Sequence, residues 1–128
     1  MLKTKSIKAP IEPSDGLRIS VMSRHTLNDG ITPDPEISPD SYDEWWPELA
    51  PSPKLVGDHY KRNLSWIEFE RRYLGELLDK PKLEELIGLA LCRTVTILCV
   101  ESSPDECHRR LLAEECGRFC PELDIEIY

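Results

Sequence analysis

The chain has 128 residues, of which 16 are Lys or Arg and 24 are Asp or Glu, so its formal net charge is −8. This acidic balance argues against an extended nucleic-acid surface or an anionic-lipid surface, because clustered Lys and Arg bind both. No apolar run approaches the ~18–20 residues of a membrane-spanning helix. We therefore expect a cytoplasmic protein without membrane contact.

The first predicted elements are two strands. Residues 17–22 alternate apolar and polar side chains directly after the turn signal Pro13-Ser14-Asp15-Gly16, which is typical of a strand. A second strand, earlier in the chain, is predicted over residues 3–8.

A Pro-rich acidic segment follows over residues 28–53, with six of the 11 prolines, seven acids and no Lys or Arg. Each proline removes a backbone donor and constrains its predecessor, so we predict a loop with at most one helical turn near residues 42–49. Its aromatic side chains, Tyr42, Trp45 and Trp46, favour a loop docked on the domain. Because the rest of the chain holds 17 acids against 16 bases, the acidity belongs to this loop.

Two helices are predicted next. Ser65 and Glu68 match a capping box, in which each side chain bonds the other's backbone, and apolar residues then recur at helical spacing. This pattern predicts a helix over residues 65–79. Pro81 opens a second, shorter helix through residue 89.

The last third of the chain is predicted to form a strand, a helix and a final strand. Residues 94–100 are β-branched and apolar, as in a central strand covered on both faces. Ser103 and Pro104 predict a helix over residues 103–116 that ends at Gly117, and residues 123–127 alternate as a final strand. This order predicts a single α/β domain over residues 1–128, with a mostly parallel sheet and flanking helices in Rossmann-like layers.

Polar residues follow two of the predicted strands. In open α/β sheets ligands bind beyond the carboxyl ends of the strands, where helix N-termini also attract anions. Assuming that the two strands are parallel, we predict one pocket at this sheet edge, covered by the 28–53 loop. Its predicted ligand-binding residues are Ser23, Arg24, His25 and Arg109, and its predicted catalytic residues are Glu101, Cys107 and His108.

Each of these residues has a structural alternative. His108 falls on the buried arc of its helix with Glu115, where a carboxylate would satisfy it. Cys107 is either a small packing residue or a nucleophile activated by Arg109 and the helix start, with His25 as its base. Arg24 binds an anion or pairs with Asp15 or the acidic loop.

The five cysteines are confined to the last third of the chain, at positions 92, 99, 107, 116 and 120. An odd, clustered set is a poor disulfide framework, so we interpret them as mostly reduced thiols. Their spacing lacks the C-x₂-C pattern of structural zinc sites, and we assign no metal ligand. The metal alternative is a site from Cys99 or Cys107 with His25 or His108.

The segment from Leu98-Cys99-Val100-Glu101 to Cys107-His108-Arg109 resembles the signature of the domain of unknown function 488 family. The stretches 14–19, 23–24, 45–52 and 66–69, together with Tyr73, are similar to that family as well. Many members end the first strand in Asp-x-Arg, whereas this chain has Met22-Ser23-Arg24. The resemblance implies a compact α/β domain and brings no known activity with it.

These observations favour an enzyme or binding domain for a small anionic or nucleotide-like ligand. Arg24 and the helix N-terminus would hold the anion, while Glu101 or a histidine moves protons. The alternatives are a redox-sensing module that responds through Cys99 or Cys107, a metal-binding module, and a non-catalytic interaction protein that uses the aromatic loop. The sequence indicates no cofactor and leaves a homodimer open.

Overall fold

Five parallel strands form one sheet in the order β3-β2-β4-β1-β5 in the computed structural model, which describes residues 1–78 and 81–128. The strands are β1 (Leu2–Ser6), β2 (Leu17–Ser20), β3 (Glu44–Trp45), β4 (Val95–Cys99) and β5 (Ile125–Ile127). β4 pairs with both β1 and β2, and all five of its residues are buried. The predicted α/β class, parallel sheet and central strand are confirmed.

Four helices accompany the sheet: α1 (Pro53–Lys61), α2 (Trp66–Leu77), α3 (Pro81–Cys92) and α4 (His108–Phe119). Ser65 caps α2 as predicted, because its Oγ accepts the backbone N–H of Glu68 at 3.3 Å. The predicted end of this helix at residue 79 lies outside the described residues. None of the helices within the described residues is long and apolar enough to cross a membrane.

The prediction of a helix over residues 103–116 is wrong at both ends. α4 begins only at His108, because the Ser103 hydroxyl accepts the nearby N–H of Asp105 at 3.2 Å and holds a local turn instead. At the other end the helix continues through Gly117, and its last turn closes with the N–H of Cys120 bonded to the carbonyl of Cys116 at 2.9 Å. Cys107, rather than Ser103, is therefore the N-cap residue.

α1 was not predicted, because its first residue, Pro53, was counted with the Pro-rich loop. The signal was present: Ser52 accepts the backbone N–H of Leu55 through Oγ at 3.2 Å, and proline is favoured at the first helical position. The aromatic docking of the preceding loop is confirmed. Trp46 is buried, and the indole of Trp45 donates to the carbonyl of Met22 at 2.7 Å.

The strands send alternate side chains into two different layers. Leu2, Ile19 and Ile97 join the main core with buried residues of α2, α3 and α4. On the other face Asp15 is buried and pairs with Arg18 at 2.6 Å and with Lys5 at 3.0 Å. The helices thus pack on one face, and the other carries a buried ion-pair cluster and a second apolar cluster that includes Met22, Ile37 and Leu98.

Candidate functional site

A cavity of about 100 Å³ opens at the carboxyl ends of β2 and β4. These strands are parallel neighbours, with Ser20 beside Leu98, so the chain segments that leave them meet at one sheet edge as expected. α1 and α2 supply the apolar side of the cavity, and the strand ends and the start of α4 supply the polar side. The lining residues are Met22, Ser23, Arg24, Pro51, Val56, Tyr60, Trp66, Phe69, Cys99, Val100, Glu101, Glu106, Cys107 and His108.

A thiol and an imidazole form the centre of the polar side. The Sγ of Cys99, the last residue of β4, lies 3.6 Å from Nδ1 of His108, the first residue of α4. The other ring nitrogen of His108, Nε2, lies 2.8 Å from the carbonyl oxygen of Val21. A carbonyl only accepts hydrogen bonds, so Nε2 carries a proton, and Nδ1 is the nitrogen through which the ring accepts a proton from Cys99.

A second thiol completes this cluster. The Sγ atoms of Cys99 and Cys107 lie within 4.8 Å of each other, and the Cys107 thiol lowers the pKa of Cys99. Burial opposes this change, while the N–H groups of Val100 and Glu101 and the charge of Arg109 support it. The neighbouring Cys99 thiol and burial raise the pKa of Cys107. Because the His108 ring contacts Cys99 and the two pKa changes have opposite directions, Cys99 is the thiol favoured to ionise.

Arg109 lies behind the cluster and is fully buried. Its guanidinium donates to the carbonyl of Glu101 at 2.7 Å, to Sγ of Cys107 at 3.3 Å and to the main-chain oxygen of Tyr128 at 3.2 Å. Among the described residues no Asp or Glu side chain pairs with it. A buried cation of this kind favours a negative charge on the neighbouring thiols.

The mouth of the cavity carries charged and polar side chains. The phenol of Tyr60, at the end of α1, donates to Oε1 of Glu101 at 3.2 Å. Partial burial and then this carboxylate raise the pKa of Tyr60, so the phenol stays a neutral donor. Ser23 and Arg24 form the exposed rim, where the Arg24 guanidinium lies against Gly30 of the acidic loop.

His25 turns away from the cavity. Its Nε2 lies 2.7 Å from Oγ of Ser20, and its ring packs between Tyr42 and Trp45 at centroid distances of 4.8 and 4.5 Å. Burial in this aromatic contact lowers its pKa. In this structure His25 anchors the acidic loop and does not face Cys107.

The structure thus brings five of the seven predicted site residues to one cavity and places two elsewhere. Those at the cavity are Ser23, Arg24, Glu101, Cys107 and His108, whereas His25 and Arg109 do not line it. Cys99 appeared only in the redox and metal alternatives and not among the predicted catalytic residues, because its sequence context is that of one more apolar residue in a buried strand. Its place as the last residue of that strand, two positions before Glu101, was the available signal.

The same cluster has donor spacing for a metal ion. The Sγ atoms of Cys99 and Cys107 and a ring nitrogen of His108 all lie within 4.8 Å of one another. Thiolate and imidazole groups are the donors that zinc prefers, and a ring whose other N–H is bound to a carbonyl is typical of metal-bound histidine. The geometry suits both a soft metal ion and a thiol nucleophile with its base.

The fold and the site define the class of protein, which is a parallel α/β domain with a cluster of thiol and imidazole groups at its strand ends. A family profile described as the active DUF488-N3 subclade, DUF488-N3a, matches residues 2–116. The chain therefore belongs to the domain of unknown function 488 family, as its motifs indicated. No curated protein and no solved structure matches it.

Proposed function

We propose that this protein is an enzyme in which Cys99 acts as the nucleophile and His108 as its base. The observation that carries the proposal is the paired contact of the His108 ring, with Nδ1 3.6 Å from the Cys99 thiol and Nε2 2.8 Å from the Val21 carbonyl. A nucleophile within reach of a base that a third group orients is the arrangement of nucleophilic catalysis. The matched subclade is described as active, which accords with a catalytic role.

The substrate that fits this site is a small electrophile with an anionic group. The cavity holds only about 100 Å³, and its apolar wall of Trp66 and Phe69 suits a compact, partly apolar molecule. Arg24 at the rim is the cation that would bind the anion, and Glu101 is placed to donate or accept a proton at the mouth. Because the reaction needs a reduced thiol, we place the protein in the cytoplasm.

Site-resolved alkylation tests the proposal. The reduced protein is treated with iodoacetamide at neutral pH, and labelled peptides are quantified over time. Cys92 is exposed, so it serves as an internal ordinary thiol. We expect Cys99 to react severalfold faster than Cys92, because the thiolate is the reactive form and His108 accepts the Cys99 proton.

The His108→Gln variant supplies the matched control. Glutamine can keep a donor for the Val21 carbonyl but offers no ring nitrogen to Cys99. We expect the Cys99 rate to fall about tenfold and its pH profile to move upward, with the Cys92 rate unchanged. Stoichiometric zinc in the purified protein, with Cys99 unreactive until the zinc is chelated, would overturn the proposal in favour of a metal site.

A further inference from the structure

We propose that the same site reduces hydroperoxides, with Cys99 as the thiol that attacks the peroxide and Cys107 as the thiol that resolves the product into a disulfide. This inference rests on the proposed function, because it uses the same nucleophile. It adds a second chemical reaction, a defined role for Cys107 and a substrate class, hydrogen peroxide and small organic hydroperoxides.

The two sulfur atoms are already close together. They lie within 4.8 Å of each other, beside the His108 ring. Cys99 ends β4 and Cys107 caps α4, and the seven residues between them form turns and bends that include the exposed residues Ser102, Ser103, Asp105 and Glu106. A segment of this kind lets the sulfurs approach to the bonding distance of about 2.05 Å without moving the strand.

The cavity also admits the oxidant. A volume of about 100 Å³ exceeds the roughly 30 Å³ that one water molecule occupies in the liquid, and hydrogen peroxide is only one oxygen atom larger. Both thiols line this cavity, although Cys99 and Cys107 are 4% and 2% exposed. A small oxidant therefore reaches them more easily than a bulky one.

The chemistry proceeds in two balanced steps. The Cys99 thiolate attacks one peroxide oxygen, the O–O bond breaks, and the leaving oxygen takes a proton to become water or an alcohol. Cys99 is then a sulfenic acid. Cys107 attacks that sulfur, the S–S bond forms, the S–O bond breaks, and the hydroxide leaves with the Cys107 proton as water. The Arg109 guanidinium, 3.3 Å from Sγ of Cys107, stabilises the thiolate of this second step.

The other cysteines provide internal controls. Cys92 is exposed and lies at the end of α3. Cys116 is buried in the main core, where burial raises its pKa to about 12, and the Glu122 carboxylate beside the Cys120 thiol also raises the pKa of Cys120. Among the described residues, the cluster of thiols and imidazole within 4.8 Å consists of Cys99, Cys107 and His108 alone, so we expect the other three thiols to stay reduced.

The test is peptide mapping after one equivalent of hydrogen peroxide. Trypsin cuts after Arg93 and Arg109, so residues 94–109 form one peptide that holds both Cys99 and Cys107, and each remaining cysteine falls in a different peptide. We expect the 94–109 peptide to lose two hydrogen atoms and to resist N-ethylmaleimide. Dithiothreitol should restore both thiols, and the other three should be labelled throughout.

Two variants separate the roles. In Cys107→Ser we expect dimedone to trap a sulfenic acid on Cys99, whereas Cys99→Ser should consume peroxide no faster than the other thiols do; Cys92→Ser should behave as wild type. Circular dichroism confirms that each variant is folded.

A 94–109 peptide that stays reduced, or a disulfide that joins other cysteines, overturns the inference. Rapid alkylation of Cys99 without this disulfide overturns the peroxide reaction alone, and slow alkylation overturns the proposed function.

Discussion

The chemistry of Cys99 depends on three neighbouring groups rather than on the thiol itself. The Val21 carbonyl fixes the tautomer of His108, and the Cys107 thiol lies within 4.8 Å of Cys99 and lowers its pKa. Cys107 looked like the better nucleophile in the sequence, because it lies beside Arg109 near a helix start. In the structure the His108 ring contacts Cys99 instead, and the neighbouring Cys107 thiol favours the charge on Cys99.

At the same scale, Arg24 gives a prediction about charge selectivity. Iodoacetate and iodoacetamide are similar in size but differ in charge, so their rate ratio at Cys99 reports the local potential. We expect Arg24→Gln to lower the iodoacetate rate severalfold and to leave the iodoacetamide rate unchanged, because only the anion interacts with the lost cation. Alkylation kinetics at low ionic strength measure this ratio.

Arg71→Gln is the matched control, because Arg71 is exposed on α2 and pairs with Glu68, away from the cavity. This variant has the same net charge as Arg24→Gln. An equal change of the ratio in both variants would show a general charge effect, and an unchanged ratio in Arg24→Gln would remove Arg24 from the anion site.

At the scale of elements, α1 forms a wall of the cavity and is held to α2 through two carboxylates, Asp58 and Glu76. Asp58 accepts from Arg62 at 2.6 Å within the helix region and pairs with Arg72 of α2 at 2.8 Å. Ser52, which caps α1, also bonds Glu76 of α2 through its N–H and hydroxyl. An ion pair and two hydrogen bonds therefore connect α1 and its cap to α2.

We expect Asp58→Asn to lower the melting temperature at neutral pH and to speed alkylation of Cys99 by loosening the cavity wall. Arg62 and then Arg72 hold the pKa of Asp58 well below its usual range, although burial opposes them. A carboxyl group with a lowered folded-state pKa stabilises the fold above its unfolded pKa of about 3.9, and that stability is lost as the pH falls. Thermal melts should therefore differ most at neutral pH and converge in acid; a constant difference would contradict this role.

The elements show where sequence patterns suffice. α2 and β4 were predictable because a capping box and a β-branched apolar run are local signals. The start of α4 was not, because Ser103 and Pro104 match a helix start as well as they match the turn that they form. Local hydrogen bonding decided between two conformations that share one signature.

At the scale of the whole molecule, the acidic loop is tied to the sheet by specific contacts. Asp34 and Glu36 both pair with Lys8 at 3.0 Å, and the Asp43 carboxylate accepts the backbone N–H of Arg18 at 2.8 Å. Much of the acidity that dominates the composition thus has defined partners on the domain. Net charge alone describes this surface poorly, since a loop and its cationic partners lie together.

The site was predictable as a location but not as a mechanism. The rule that ligands bind at the carboxyl ends of parallel strands brought Arg24, Glu101 and His108 to one place. It did not reveal that Val21 orients His108, because that contact joins residues 87 positions apart through a backbone carbonyl. A backbone carbonyl accepts hydrogen bonds whatever the side chain of its residue, so the residue types in a sequence do not indicate such a contact.

The role of Cys99 as the nucleophile is tested most directly by the dependence of its pKa on the folded structure. Ultraviolet absorbance of the thiolate is titrated in native wild type, in native Cys99→Ser and in urea-unfolded wild type. We predict one thiolate in the native protein with a midpoint below the ordinary cysteine value of about 8.5, absent in Cys99→Ser and shifted to that value on unfolding. A native titration with the ordinary midpoint, or one that Cys99→Ser leaves unchanged, would contradict Cys99 as the nucleophile.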